Sequence, residues 1–209
     1  MAGVPYYDEH AQQLTEQYES LEAHAVHQWI LDLLPTRANS IALDVGAGSG
    51  RDAAWLVSRG LKVWAVEPSA GMRQMAQQLH NETSITWMDD HLPDLEGTHM
   101  AASKQGVSFD LILMSAVWMH IDPQKRALAF KNLMGLLTEG GLLAMTLRCG
   151  PAPAEREMYE VSEKEVRLLA NEFGATVAKC ITSADQSGRP EVSWIQMALL
   201  KESKTNQEK

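Results

Sequence analysis

Cysteine is nearly missing from this chain: Cys149 and Cys180 stand far apart among 209 residues. Two such residues make no disulfide framework and no metal or redox spacing, and a reduced, cytoplasmic setting fits them. Long apolar runs are missing as well. No stretch approaches the ~18 consecutive apolar residues that a membrane helix needs. The opening Met1-Ala-Gly-Val-Pro-Tyr-Tyr-Asp8 lacks the basic-then-apolar pattern of a secretory signal. Basic blocks do not occur either. At a net charge of −9 the chain is poorly suited to nucleic-acid backbones, which are held by clustered Lys and Arg. Metal-ligand spacing is thin: His24 and His27 fall three apart in a helical stretch, His10 is too far along, and no third ligand follows, so no metal site is expected. Internal repeats are lacking, and the length suits one domain over 1–200. The polar, aperiodic stretch 201–209 is expected to be a disordered tail.

What is present begins at Ile41-Ala-Leu-Asp44-Val-Gly46-Ala47-Gly48-Ser49-Gly50. An apolar strand empties into a turn with three glycines spaced by two. Glycine suits such a turn because a Cβ would forbid the dihedrals or block the approach of a ligand. The next segment reads as a helix with Ala53, Ala54, Leu56 and Val57 on its packed side. A helix start behind a glycine turn offers free N–H groups and a positive dipole end to a polar ligand. A lone glycine loop leaves the ligand open between a dinucleotide and other nucleotides. The dinucleotide fingerprint spaces its glycines G-x-G-x-x-G, unlike this loop.

A second strand, Val63-Trp-Ala-Val, ends in Glu67-Pro68-Ser69, with Ser69 a good helix cap. An acid at the end of the second strand accepts from ribose hydroxyls in nucleotide-binding α/β folds. A third, Ile85-Thr-Trp-Met, ends in Asp89-Asp90-His-Leu-Pro93. A fourth opens with Phe109-Asp-Leu-Ile and leads to Ser115-Ala-Val-Trp118-Met-His120. A fifth follows Gly140-Gly141 and ends at Arg148.

Hydrophobic periodicity predicts a helix over 8–34, with a possible break near Ser20, then strand 41–45, helix 50–59, strand 62–66, helix 69–80 and strand 84–88. Residues 95–108 read mostly as loop. Strand 109–114, helix 123–137, strand 142–147, helix 163–173 and strands 176–182 and 192–200 complete the chain. Asp122-Pro123 and Ser162 with Glu165 supply helix starts, the latter as a capping box. Alternating strands and helices imply a doubly wound α/β fold with a mostly parallel sheet.

From about residue 40 to 148 these motifs, in this order, resemble the class I (Rossmann-like) S-adenosylmethionine (SAM) methyltransferases. Asp44-x-Gly46-x-Gly48-x-Gly50 is similar to that family's first motif, and Leu137-Thr-Glu-Gly-Gly-Leu-Leu to its Leu-x-Pro-Gly-Gly-x-Leu turn, with Glu139 in place of proline. The resemblance implies a seven-stranded sheet of order 3-2-1-4-5-7-6 with the last strand antiparallel. Residues 1–35 would form a helical cap, 40–148 the SAM-binding core, and 149–200 a final helix and hairpin. It implies SAM as cofactor and S-adenosylhomocysteine (SAH) as product, held by Asp44, Gly46, Ala47, Gly48, Gly50, Glu67, Pro68, Met72, Asp89 or Asp90, and Ser115. Glu67 would take the ribose, Met72 would pack on adenine, and one of Asp89 and Asp90 would accept from the adenine amine.

Loops past the fourth and fifth strands line the acceptor side in this family. Tyr18, Trp118, Arg148 and Tyr159 are the candidate acceptor contacts, with Tyr6 and Tyr7 beside them. His120 is the candidate general base, because imidazole titrates near neutrality. Arg148 and Arg156 would suit an anionic acceptor. No Asn/Asp-Pro-Pro-Tyr/Phe follows the fourth strand, which speaks against an amino-methylating nucleic-acid enzyme. The balance favours a small-molecule acceptor and a monomer or homodimer. An RNA or protein acceptor, or a non-catalytic SAM-binding regulatory module, are the alternatives.

Overall fold

The computed structural model describes residues 3–81, 84–153 and 155–203. Three short helices come first, α1 (Val4–Glu9), α2 (Ala11–Glu19) and α3 (Ala23–His27), followed by a 3₁₀ segment over Gln28–Leu33. Then come β1 (Ile41–Val45), α4 (Arg51–Ser58), β2 (Lys62–Val66), α5 (Ala70–Leu79), β3 (Ile85–Met88) and α6 (Glu96–Gln105). The chain ends with β4 (Phe109–Met114), α7 (Arg126–Leu136), β5 (Leu137–Cys149), α8 (Glu163–Glu172), β6 (Ala175–Ala184) and β7 (Ser193–Lys201).

The seven strands form one sheet in the order β3-β2-β1-β4-β5-β7-β6. The β1, β2, β3, β4 and β5 pairings are parallel, while β7 runs antiparallel to both β5 and β6. Side chains alternate across the pleat, so each strand feeds two cores. Leu43, Ile112, Leu143 and Met145 face a large cluster with Trp118, Phe130 and Leu133. Ala42, Val63, Leu111 and Ala144 face a second cluster with Trp29, Ala53 and Leu56. Burying both faces explains why the inner strands read as near-continuous apolar runs.

Where the structure departs from the sequence reading, the reasons are local. The helix expected over 8–34 is divided, with breaks at His10 and at Ser20–Glu22. Its two halves serve different surfaces: Ala11 and Leu14 pack on Met72 of α5, whereas Trp29 and Ile30 pack on the sheet beside α4. One straight helix cannot reach both. Residues 96–105, read as loop, form a helix because Asp90 reaches across the turn and accepts from Thr98 N at 2.8 Å and Thr98 Oγ1 at 2.7 Å. That cap lies too far upstream to be recognised as local chemistry. The expected capping box at α8 is half made. Ser162 accepts from Glu165 N at 3.2 Å, but the Glu165 carboxylate turns to the buried Arg126 at 2.7 Å. Of the expected tail, Lys201 closes β7 and its ammonium donates to the Met134 and Leu137 carbonyls. Residues 204–209 lie outside the described residues.

Candidate active site

A cleft opens at the carboxyl ends of β1, β2, β4 and β5, under α1 and α2. It is lined by the loop Gly46–Ser49, by Arg51, Asp52, Glu67, Pro68 and Ser69, by Ser115 to Val117 and His120, and by Tyr7, Tyr18, Arg148 and Arg156. The β6–β7 hairpin closes its far side with Asp185, Arg189, Trp194 and Gln196. Parallel strands place their carboxyl ends on one rim, and reversal of strand order beside β1 leaves the crevice there.

The three glycines of the first loop have different reasons to be glycine. All have positive φ: 72° at Gly46, 56° at Gly48 and 84° at Gly50. A Cβ on Gly46 would stand 2.6 Å from Val117 Cγ2, and one on Gly50 would stand 2.8 Å from the Trp87 ring. Those two are packing constraints, and Gly50 lies outside the cleft lining. A Cβ on Gly48 would meet only the Tyr18 ring, at 3.6 Å, and Met72 Cε at 3.9 Å. Gly48 is therefore the glycine that leaves open ground facing the cleft.

Glu67 is 6% exposed. Its Oε2 accepts from Gly48 N and its Oε1 from Ser69 N, both at 2.8 Å. Each oxygen keeps a second lone pair. Burial raises its pKa, and the two N–H donors work against that rise. Asp44 is buried behind the loop with Oδ2 lacking a hydrogen-bond partner. Burial drives its pKa well up, with Asp52 adding repulsion. Asp52 itself is held by Arg51 at 2.8 Å and by His27 at 3.0 Å.

His120 Nδ1 lies 3.0 Å from the Glu157 carbonyl and Nε2 lies 3.1 Å from the Tyr7 hydroxyl. A carbonyl only accepts, so Nδ1 carries the proton and Nε2 presents its lone pair toward Tyr7. Burial lowers the pKa of His120, partly opposed by the Glu157 carbonyl. The ring is thus neutral at pH 7. Tyr7 and Tyr6 also sit against the Arg156 guanidinium, 5.6 Å and 5.2 Å from the ring centroids.

Other sequence candidates fall outside the cleft lining. Trp118 is fully buried, edge-on to Phe130 at 6.3 Å and beneath the Arg126 guanidinium at 5.9 Å; it fills the core. Tyr159 donates its hydroxyl to Glu157 Oε1 at 2.6 Å at the surface, and its N–H ties the loop to the Met119 carbonyl. Asp89 is largely exposed and paired with Arg73 at 2.8 Å, while Asp90 is committed to α6. Met72 is fully buried under α2, with Thr15 Oγ1 3.9 Å from its sulfur. Among the described residues, no group of three or more His, Cys, Asp or Glu side chains is disposed to hold a metal ion. Sequence reasoning passed over Arg51 and Asp52, although they directly follow the glycine loop. It also passed over Asp185, Arg189 and Trp194, which reach the cleft only because β7 inserts beside β5.

Fold and cleft together define a class I SAM-dependent methyltransferase architecture. Residues 43–145, just under half of the chain, match the methyltransferase domain family. The chain is 27% identical over 140 residues to an uncharacterized methyltransferase of Staphylococcus carnosus, a match that takes in 67% of this chain and 61% of that protein. Among solved structures, magnesium protoporphyrin IX methyltransferase from Synechocystis with bound SAM aligns with a TM-score of 0.65 at 18% identity, over 91% of this chain and 83% of that one. The 1,6-didemethyltoxoflavin-N1-methyltransferase of Burkholderia thailandensis, bound to 1,6-didemethyltoxoflavin and SAH, aligns with a TM-score of 0.62 at 18% identity, over 93% and 90%. At these identities the structural likeness speaks for the fold.

The family's cofactor is SAM, and the residues here fit it at one end. Glu67 keeps one further lone pair on each oxygen at the end of β2, Gly48 leaves room for close approach, and Asp44 holds an unpartnered buried oxygen near the loop. Beyond them α2 lies over Met72.

Proposed function

We propose that this chain transfers a methyl group from SAM to a small-molecule acceptor, with residues 1–35 capping a single catalytic domain. The observation that carries the reading is His120. Its neutral ring stands just past the fourth strand, Nδ1 is fixed by the Glu157 carbonyl, and Nε2 is left as the acceptor of a proton. Glu67, Pro68, Ala47 and Gly48 hold the nucleoside end, and Asp44 favours the cationic amino acid end. Ser115 lies between cofactor and acceptor. Tyr18, against Gly48, covers the junction.

When bound, SAM would supply an electrophilic methyl to the acceptor atom, with the carbon–sulfur electron pair staying on the sulfur of SAH. The chain's own share is alignment and exclusion of water, which lowers such barriers by roughly 7–11 kcal/mol. Nε2 of His120 takes the acceptor's proton, and the hydroxyl of Tyr7 orients that lone pair until the acceptor displaces it. Calorimetric titration should show binding of SAM and SAH and none of NAD; NAD binding without SAM binding would end this reading.

A further inference from the structure

The cleft sorts its charges by position. Arg51 is neutralised by Asp52 at 2.8 Å, and Arg189 by Asp185 through bonds of 2.7 and 3.0 Å. Glu67 stays at the cofactor end. Arg148 and Arg156 remain on the far side, beyond the fifth strand. Among the described residues neither has a carboxylate at ion-pair distance. Arg148 is only 9% exposed, yet it spends one N–H on the Gly150 carbonyl, at 3.3 Å. A guanidinium carries five donors and is poorly suited to burial without an anion. Burial, with Arg189 and Arg156 nearby, disfavours its charge, and Asp185 and Glu191 partly oppose this from beyond ion-pair distance. Two guanidiniums without an ion-pair carboxylate stand out in a chain of net charge −9. The cleft lining also includes the apolar Val4, Ala116, Met119, Met158 and Trp194 beside polar residues such as Gln186 and Gln196.

We propose that the acceptor is a small, partly apolar anion whose carboxylate or phosphate docks on Arg148 with Arg156 beside it. This rests on the methyltransferase reading for its role but stands as a binding site without it. The apolar lining takes the acceptor's body, and docking the anion at the end of the fifth strand turns its nucleophilic atom toward His120 Nε2. Guanidinium forks match both oxyanions, so the shared chemistry is an oxyanion on an apolar body.

The test uses the full chain, saturated with SAH, titrated with benzoate, phenyl phosphate and the neutral benzamide. A charge-assisted hydrogen bond lost from a buried site reduces affinity about tenfold or more. Benzoate or phenyl phosphate should therefore bind at least about tenfold more tightly than benzamide, and whichever wins identifies the oxyanion. Arg148→Met should abolish that preference while SAH affinity is unchanged. Arg156→Met should weaken it. Equal binding of benzamide, no binding of either anion, or an Arg148→Met variant that keeps the preference overturns the proposal. So does a parallel loss of SAH affinity in Arg148→Met, which would make Arg148 a ligand of the cofactor's own carboxylate. If SAH fails to bind but the anion preference holds, the methyltransferase reading falls and the anion site stands.

Discussion

Glu67→Gln is the most informative single substitution, because the environment of this carboxylate makes a usually mild change severe. Gly48 N–H and Ser69 N–H each donate to a different oxygen of Glu67, both at 2.8 Å. A glutamine has one acceptor oxygen, so its NH₂ must face one of these donors. An unsatisfied buried donor costs about 1–3 kcal/mol. One ribose hydroxyl also loses its acceptor, and a hydrogen bond to a charged group is worth about 1.5–3 kcal/mol. SAH affinity should fall ten- to over a hundredfold, since about 1.4 kcal/mol is a factor of ten, and Glu67→Ala, which removes both acceptor oxygens, should fall at least as far. Stability without ligand should change little. Burial raises the Glu67 pKa, so the favoured protonated form contributes stability that is fully present below the unfolded pKa and lost as pH rises through the folded one. A neutral amide recovers that loss while the donor conflict opposes it. The measurement is calorimetric titration beside thermal unfolding with and without SAH. At a hundredfold excess over Kd, ligand stabilises by about 2.7 kcal/mol; a hundredfold weaker Kd reduces this to about 0.4 kcal/mol. In the unsubstituted protein, SAH affinity should decline on acidification from above the usual glutamate range, as Glu67 protonates. A Glu67→Gln variant with unchanged Kd and unchanged ligand-induced shift would show that Glu67 is not the ribose acceptor.

Gly48→Val should leave the protein folded, because its Cβ meets only the Tyr18 ring and Met72 at ordinary contact distance, with about 1–2 kcal/mol lost to the left-handed backbone. SAH binding should vanish in titration; a folded variant that binds normally would refute the role given to the loop. His120→Ala should lower turnover about 10²–10⁴-fold with SAH affinity nearly constant, as read by single-turnover assay and titration. Burial lowers the His120 pKa, so the acid limb of kcat/KM should lie below the ordinary histidine value of about 6.5. The stability contributed by His120 is present above that value and lost as pH falls through the folded pKa. A limb that persists in His120→Ala would assign it to another group.

The glycine loop, the acid at the end of β2 and the alternation of strands and helices were legible in the sequence because each depends on neighbours along the chain, whereas the order of strands in the sheet came from the family resemblance. Asp44 to Gly50, Glu67 after β2 and Phe109 to Met114 are runs whose backbone requirement and burial fix their own residue types. Local chemistry also decided the starts at Ser69 and Ser162. Contacts between distant segments decided the rest. Asp90 became the cap of a helix that its own surroundings do not predict, Glu165 left its capping box for Arg126, and Trp118 turned into the core and away from the cleft. Gly50 proved to be glycine for Trp87 and Ala76, while Gly48 leaves open ground toward the cleft. Arg148 and Arg156 were legible as candidates for an anion, but the Asp185–Arg189 pair was not. That pair lies well downstream in sequence and reaches the same cleft because β7 inserts between β5 and β6. A strand or a tight turn is specified by short-range sterics and periodicity, whereas the partner of a side chain across the cleft is set by sheet order and packing.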